Sequence, residues 1–115
     1  MLAYGRIAVG TGCVLAPGVI AGVLTGRESD PGTKLFVRML GARDLGIGVG
    51  VATALTRDEP TRGWLEVSAL ADGADCVACL LARSHLRPTA FRLAASTAAA
   101  AALLHAKLSR HGVAR

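Results

Sequence analysis

Charge is scarce in this chain: Asp, Glu, Lys and Arg make up 18% of its 115 residues, against 52% apolar residues and a mean hydropathy of +0.47. That balance argues against a disordered tail and against an ordinary basic nucleic-acid module. The net charge of +5 does not reverse this, because the thirteen basic residues are spread along the chain and form no dense block. Cysteine is also sparse. Three is an odd number, and Cys76 and Cys79 lie within an apolar stretch, so a secreted disulfide framework is a poor reading. Length excludes two independent cores joined by a linker, leaving one domain over residues 1–115.

The usual catalytic signatures are missing as well. Gly10-Thr11-Gly12 begins a dinucleotide fingerprint, but Leu15 stands where the third glycine belongs. Gly46, Gly48 and Gly50 fall in a helical apolar segment and cradle no phosphate. Ser68, Ser84, Ser96 and Ser109 lack a nucleophile elbow, while His85, His105 and His111 fall near segment ends, where solvated roles are commonest. The sequence therefore predicts no catalytic residue, no cofactor and no enzyme activity.

What the chain has is apolar surface to hide, in four stretches. Residues 7–26 carry no charge between Arg6 and Arg27. At about 1.5 Å per residue a helix of this length spans roughly 30 Å, the thickness of a bilayer's hydrocarbon. The stretch exceeds a signal peptide's apolar core of about 7–15 residues and has no clean small-x-small cleavage site, so it reads as a retained span. Pro17 is tolerable there if neighbouring helices satisfy the freed carbonyl.

Further apolar segments cover 35–56, 63–82 and 89–108, separated by the polar turns RESDPGTK, RDEPTR and RSHLRP. The expected fold is all-α: a four-helix transmembrane bundle, up-down, with short charged turns. Tyr4, Phe36, Trp64 and Phe91 each lie near the start of one segment, as interfacial aromatic residues do. Eleven Arg against two Lys, with abundant Ala and Gly, point to a GC-rich bacterial genome.

Small residues supply the packing pattern, since helices in lipid associate by close approach rather than by hydrophobic burial. Gly18, Gly22 and Gly26 form one ladder; Ala42, Gly46, Gly50 and Ala54 form another. Such grooves seat neighbouring helices of the same chain, or join it to a second copy or another membrane protein, and the intrachain reading is preferred. With both ends on one face, six basic flanking residues (Arg6, Arg57, Arg62, Lys107, Arg110, Arg115) oppose five, a slight bias toward cytoplasmic termini in the inner membrane.

The segments also contain charges: Arg38, Arg43 and Asp44 in the second, Glu66, Asp72 and Asp75 in the third. An unpaired charge at mid-membrane costs ~2.5–3.5 kcal/mol on an insertion scale, so these residues need partners. Symmetry about the 57–62 turn sets Arg43 level with Cys76, predicting a contact with Asp75 shared with Asp72. Arg38 snorkels or joins the same network. Asp72, Asp75, Cys76 and Cys79 share one helical stripe, but a single helix does not easily surround a tetrahedral ion and no His lies at matching depth, so no metal site is predicted.

The stretch RMLGARDLGIG, residues 38–48, carries the pattern R-x-x-G-x-R-D-L-x-x-G through Arg38, Gly41, Arg43, Asp44, Leu45 and Gly48. It resembles a group of small bacterial four-helix membrane proteins of unknown function whose third helix carries acidic residues, here Asp72 and Asp75. A broader similarity, in the four-segment layout, is to DoxX-like membrane proteins. The resemblance implies a hydrophobic bundle with a charged core, and no established reaction. Two functional classes follow: a structural or accessory membrane component resting in the lipid bilayer, or a small transporter or proton-coupled channel lined by Arg43, Asp44, Asp72 and Asp75.

Overall fold

The computed structural model describes residues 2–110, and within them the protein is all-helical, with five α-helices, one 3-10 turn and no strand. His111 and Arg115 lie outside the described residues. The helices are α1 (Leu2–Leu15), α2 (Pro17–Thr25), α3 (Pro31–Thr56), α4 (Arg62–Leu81) and α5 (Pro88–Arg110), with a 3-10 turn at Arg83–His85. The last three fall where the second, third and fourth apolar segments do, displaced at most four residues at any end.

The first segment departs from expectation. Instead of one continuous helix over 7–26, the chain forms two helices whose axes bend by 99° at Ala16. Pro17 has no N–H to offer the Cys13 carbonyl and its ring clashes with the preceding turn, so it terminates α1 and opens α2, where a proline at the first helical position costs nothing. α2 then stops at Gly26, which takes the left-handed conformation (φ 74°) and donates its N–H to the Gly22 carbonyl at 2.8 Å. Gly26 is thus a helix stop rather than a rung of a packing ladder.

Asp30 opens α3. Its carboxylate accepts the Thr33 N–H at 3.0 Å and the Thr33 hydroxyl at 2.6 Å, with Pro31 at the first helical position. The Thr33 hydroxyl, then its backbone N–H, hold the Asp30 carboxyl below the usual carboxylate range.

Two compact units are formed, Met1–Ala52 and Thr53–Arg115. In the first, α1 crosses α3 almost backbone on backbone. A Cβ added at Gly10 would lie 2.6 Å from the Gly41 carbonyl oxygen, one at Gly41 2.6 Å from Cys13 Cβ, and one at Gly48 2.9 Å from the Ala3 carbonyl oxygen. Gly46, by contrast, faces open space, Ala42 is exposed, and a Cβ at Gly18 would meet only the Lys34 and Ser29 side chains. The tight approach uses Gly10, Gly41 and Gly48, and Gly50 is half-buried. In the second unit, α4 and α5 pack along their length.

Among the described residues no single helix is long and apolar enough to cross a membrane. α1 and α2 have the length and composition together, but bend. Many large apolar side chains are nonetheless left uncovered while a few polar ones lie inside. The buried apolar side chains are small or medium (Ala3, Ala21, Val37, Ile47, Val51, Ala54, Leu65, Ala90), and Thr61, Ser68, Asp72, His105 and Ser109 are buried with them. Large apolar side chains such as Leu15, Phe36, Leu70, Leu81, Leu93 and Leu103 are more than two-thirds exposed.

Candidate functional site

Two polar clusters lie inside the helical packing, one in each unit. The first grows from the glycine crossing. Because glycines let α1 and α3 approach closely at Gly10 and Gly41, Arg6, one turn before Gly10, reaches across to Asp44, one turn before Gly48. Arg6 Nη1 donates to Asp44 Oδ1 at 2.8 Å, and Arg43 donates to the same oxygen from Nη2 at 3.0 Å and Nε at 3.3 Å. Arg6 is 9% exposed, Asp44 18% and Arg43 31%, so the innermost pair is the new one. Two guanidiniums thus share one carboxylate oxygen.

Arg6 was not anticipated here. As a charge flanking the first segment it reads as a topology marker, yet α1 starts at Leu2 and carries it well inside the helix. Arg38 is exposed, and its Nε donates a long hydrogen bond (3.4 Å) to the Val14 carbonyl. That carbonyl sits at the end of α1, where the break before Pro17 leaves acceptors without helical donors, and a cation there also suits the helix dipole. Arg38 therefore serves the bend.

The second cluster lies between α4 and α5. His105 Nδ1 and Asp72 Oδ2 are 2.9 Å apart, with side chains 6% and 10% exposed. This corrects two expectations: a histidine does stand at the depth of the acidic stripe, and His105 is buried rather than solvated. Ser68, one turn before Asp72 on the same face, is 1% exposed and its hydroxyl has no hydrogen-bond partner. Ser109, one turn after His105, is buried too, but its hydroxyl donates to the Ala106 carbonyl at 2.9 Å.

Asp75, Cys76 and Cys79 continue the α4 stripe as half-buried residues, and all three cysteines are free thiols. Among the described residues no three His, Cys, Asp or Glu side chains converge as metal ligands. Glu66 is exposed and accepts from Arg62 Nε at 2.9 Å, an ordinary i, i+4 surface pair. Arg43 belongs to the first unit and Asp75 to the second, and their pairing stands as a proposal below. Compared with protein families, with curated proteins and with solved structures, the chain matches none.

Proposed function

We propose that this chain is an integral protein of a bacterial inner membrane with a structural or accessory role, its helices held together by small residues and by internal Arg/Asp and Asp/His pairs. The observation that carries the reading is the uncovered large apolar surface around a buried polar pair. Leaving a large aliphatic or aromatic side chain in water forgoes roughly 1.5–3 kcal/mol each, and such side chains point outward on all five helices, whereas Ser68, Asp72 and His105 are inside. Hydrocarbon is the surrounding that rewards this arrangement. The charges that lower the hydropathy of α3 and α4 are partly turned inward and paired, as intramembrane charges are.

On this reading α1 and α2 form one broken span, α3, α4 and α5 the other three, and both termini lie in the cytoplasm. The four-segment layout and the R-x-x-G-x-R-D-L-x-x-G stretch support grouping the chain with the small bacterial membrane proteins it resembles. Its partners are the bilayer and, through any exposed groove, a second copy or another membrane protein; nucleic acid is not one. Alkaline extraction of membranes tests this: the protein stays with the pellet, and release into the supernatant would overturn the reading.

A second reading, a small transporter or proton-coupled channel, is favoured by the buried Asp72–His105 pair. Asp75→Asn separates the two. Lost accumulation without a flux phenotype supports the structural role, and normal accumulation with altered proton flux supports transport.

A further inference from the structure

We infer that the connection between α4 and α5 is a docking surface for the head groups of anionic phospholipids, carried by Arg83, Arg87 and Arg92, a proposal that rests on the membrane reading above and specifies the lipid. The other two polar turns are balanced. Arg27 and Lys34 stand with Glu28 and Asp30 in one, and Arg57 and Arg62 with Asp58 and Glu59 in the next. The third has no such balance, because no Asp or Glu follows Asp75 in the sequence.

Folding of this unit does not supply the missing acid. All three arginines are exposed, and among the described residues none of their guanidiniums forms an ion pair or a hydrogen bond. Glu66 is engaged by Arg62 and lies roughly 22 Å before the end of α4 at about 1.5 Å per residue, beyond the ~8–10 Å over which salt leaves a surface charge felt. Asp72 is buried against His105. Asp75, the nearest acid along the chain, is half-buried and is one carboxylate against three guanidiniums.

The apolar neighbours select a lipid from among the anions. Leu80, Leu81 and Leu93 flank the arginines and are 50%, 81% and 69% exposed. A phosphodiester that carries acyl chains answers both features at once. Its phosphate accepts the forked donors of a guanidinium, and its chains cover the leucines. A free oxyanion leaves those leucines bare. Each basic side chain held at an anionic lipid surface strengthens the association about fivefold.

The experiment reconstitutes the full-length protein into phosphatidylcholine vesicles, with and without phosphatidylglycerol, and floats them. Failure to float with phosphatidylcholine alone sinks the membrane reading and this proposal together; flotation lets the lipid preference be read by itself. Spin-labelled phosphatidylglycerol is expected to be held at the protein several-fold more strongly than spin-labelled phosphatidylcholine, and less so in high salt. Replacing Arg83, Arg87 and Arg92 together by Gln, all at exposed positions, brings that ratio close to one. The same loss of charge from the balanced turns, in Arg27→Gln, Arg57→Gln and Arg62→Gln combined, leaves most of it. A ratio near one in the unmodified protein, or equal losses in the two triple variants, would overturn the proposal. Loss of the preference to millimolar inorganic phosphate at constant ionic strength would overturn it too, assigning the arginines to a free oxyanion.

Discussion

Arg6 and Asp44, far apart in sequence, meet 2.8 Å apart because Gly10 and Gly41 let the backbones of their helices approach closely. The ion pair depends on the crossing. Packing and electrostatics in this unit are therefore one feature, and substitutions at either should be felt at both.

The first prediction concerns the crossing itself. Gly41→Ala places a methyl group 2.6 Å from Cys13 Cβ and 2.7 Å from the Gly10 carbonyl oxygen, and α1 cannot yield without losing its fit along α3. A loss of about 1–3 kcal/mol is expected, the usual cost of overpacking. Gly46→Ala, facing open space, is the matched control and leaves stability unchanged or slightly raised. Unfolding titrations of the two variants side by side decide the matter.

Asp44→Ala should cost more than Arg43→Ala. Removing the carboxylate takes the shared acceptor from the nearly buried Arg6, at a cost of about 1–3 kcal/mol or more, whereas Arg43 is partly exposed and can turn to solvent. Removing Arg6 together with Asp44 should cost less than the two separate losses added, with a coupling of about 0.5–3 kcal/mol. Strict additivity would show that the contact contributes nothing.

The proposed pairing of Arg43 with Asp75 has its own cycle. If they are partners, the Arg43→Ala, Asp75→Ala double variant loses less stability than the two single losses added. Simple addition of the two losses rules the pairing out.

Acid should loosen the start of α3. The Asp30 carboxyl titrates below its ordinary range because Thr33 bonds its ionised form, so its contribution is present above the unfolded-chain value and is lost as pH falls through the lower folded-state value. Amide hydrogen exchange at Thr33 should rise relative to mid-α3 amides as acid is added. Asp30→Asn keeps an acceptor but no ionisable group, and should flatten that pH dependence.

The limits of α3, α4 and α5 were legible in the sequence because charged turns and proline mark them: Pro31 and Pro88 open helices, and Pro60 precedes α4. The break at Pro17 was discounted, because the uncharged run 7–26 reads as one span and a membrane helix tolerates a proline when neighbours satisfy the freed carbonyl. The small-residue pattern announced that helices would approach closely, but Gly46 is open while Gly10 and Gly41 touch, since the helix face used depends on the crossing. The Asp72–His105 pair was hidden for a geometric reason. Mirroring about the 83–88 turn sets Asp72 opposite Ala99, but the 3-10 turn and the extended Leu86 lengthen the connection, and the partner lies further along α5.

Arg38 is synthesised after the elbow at Ala16 and Pro17 that it serves. Until α3 has been made, the Val14 carbonyl lacks its guanidinium donor, although the local bonds from Ala16 to Gly12 and from Val19 and Ile20 to Ala16 can already form. One contact at the elbow is thus supplied from downstream, by the helix that carries the arginine.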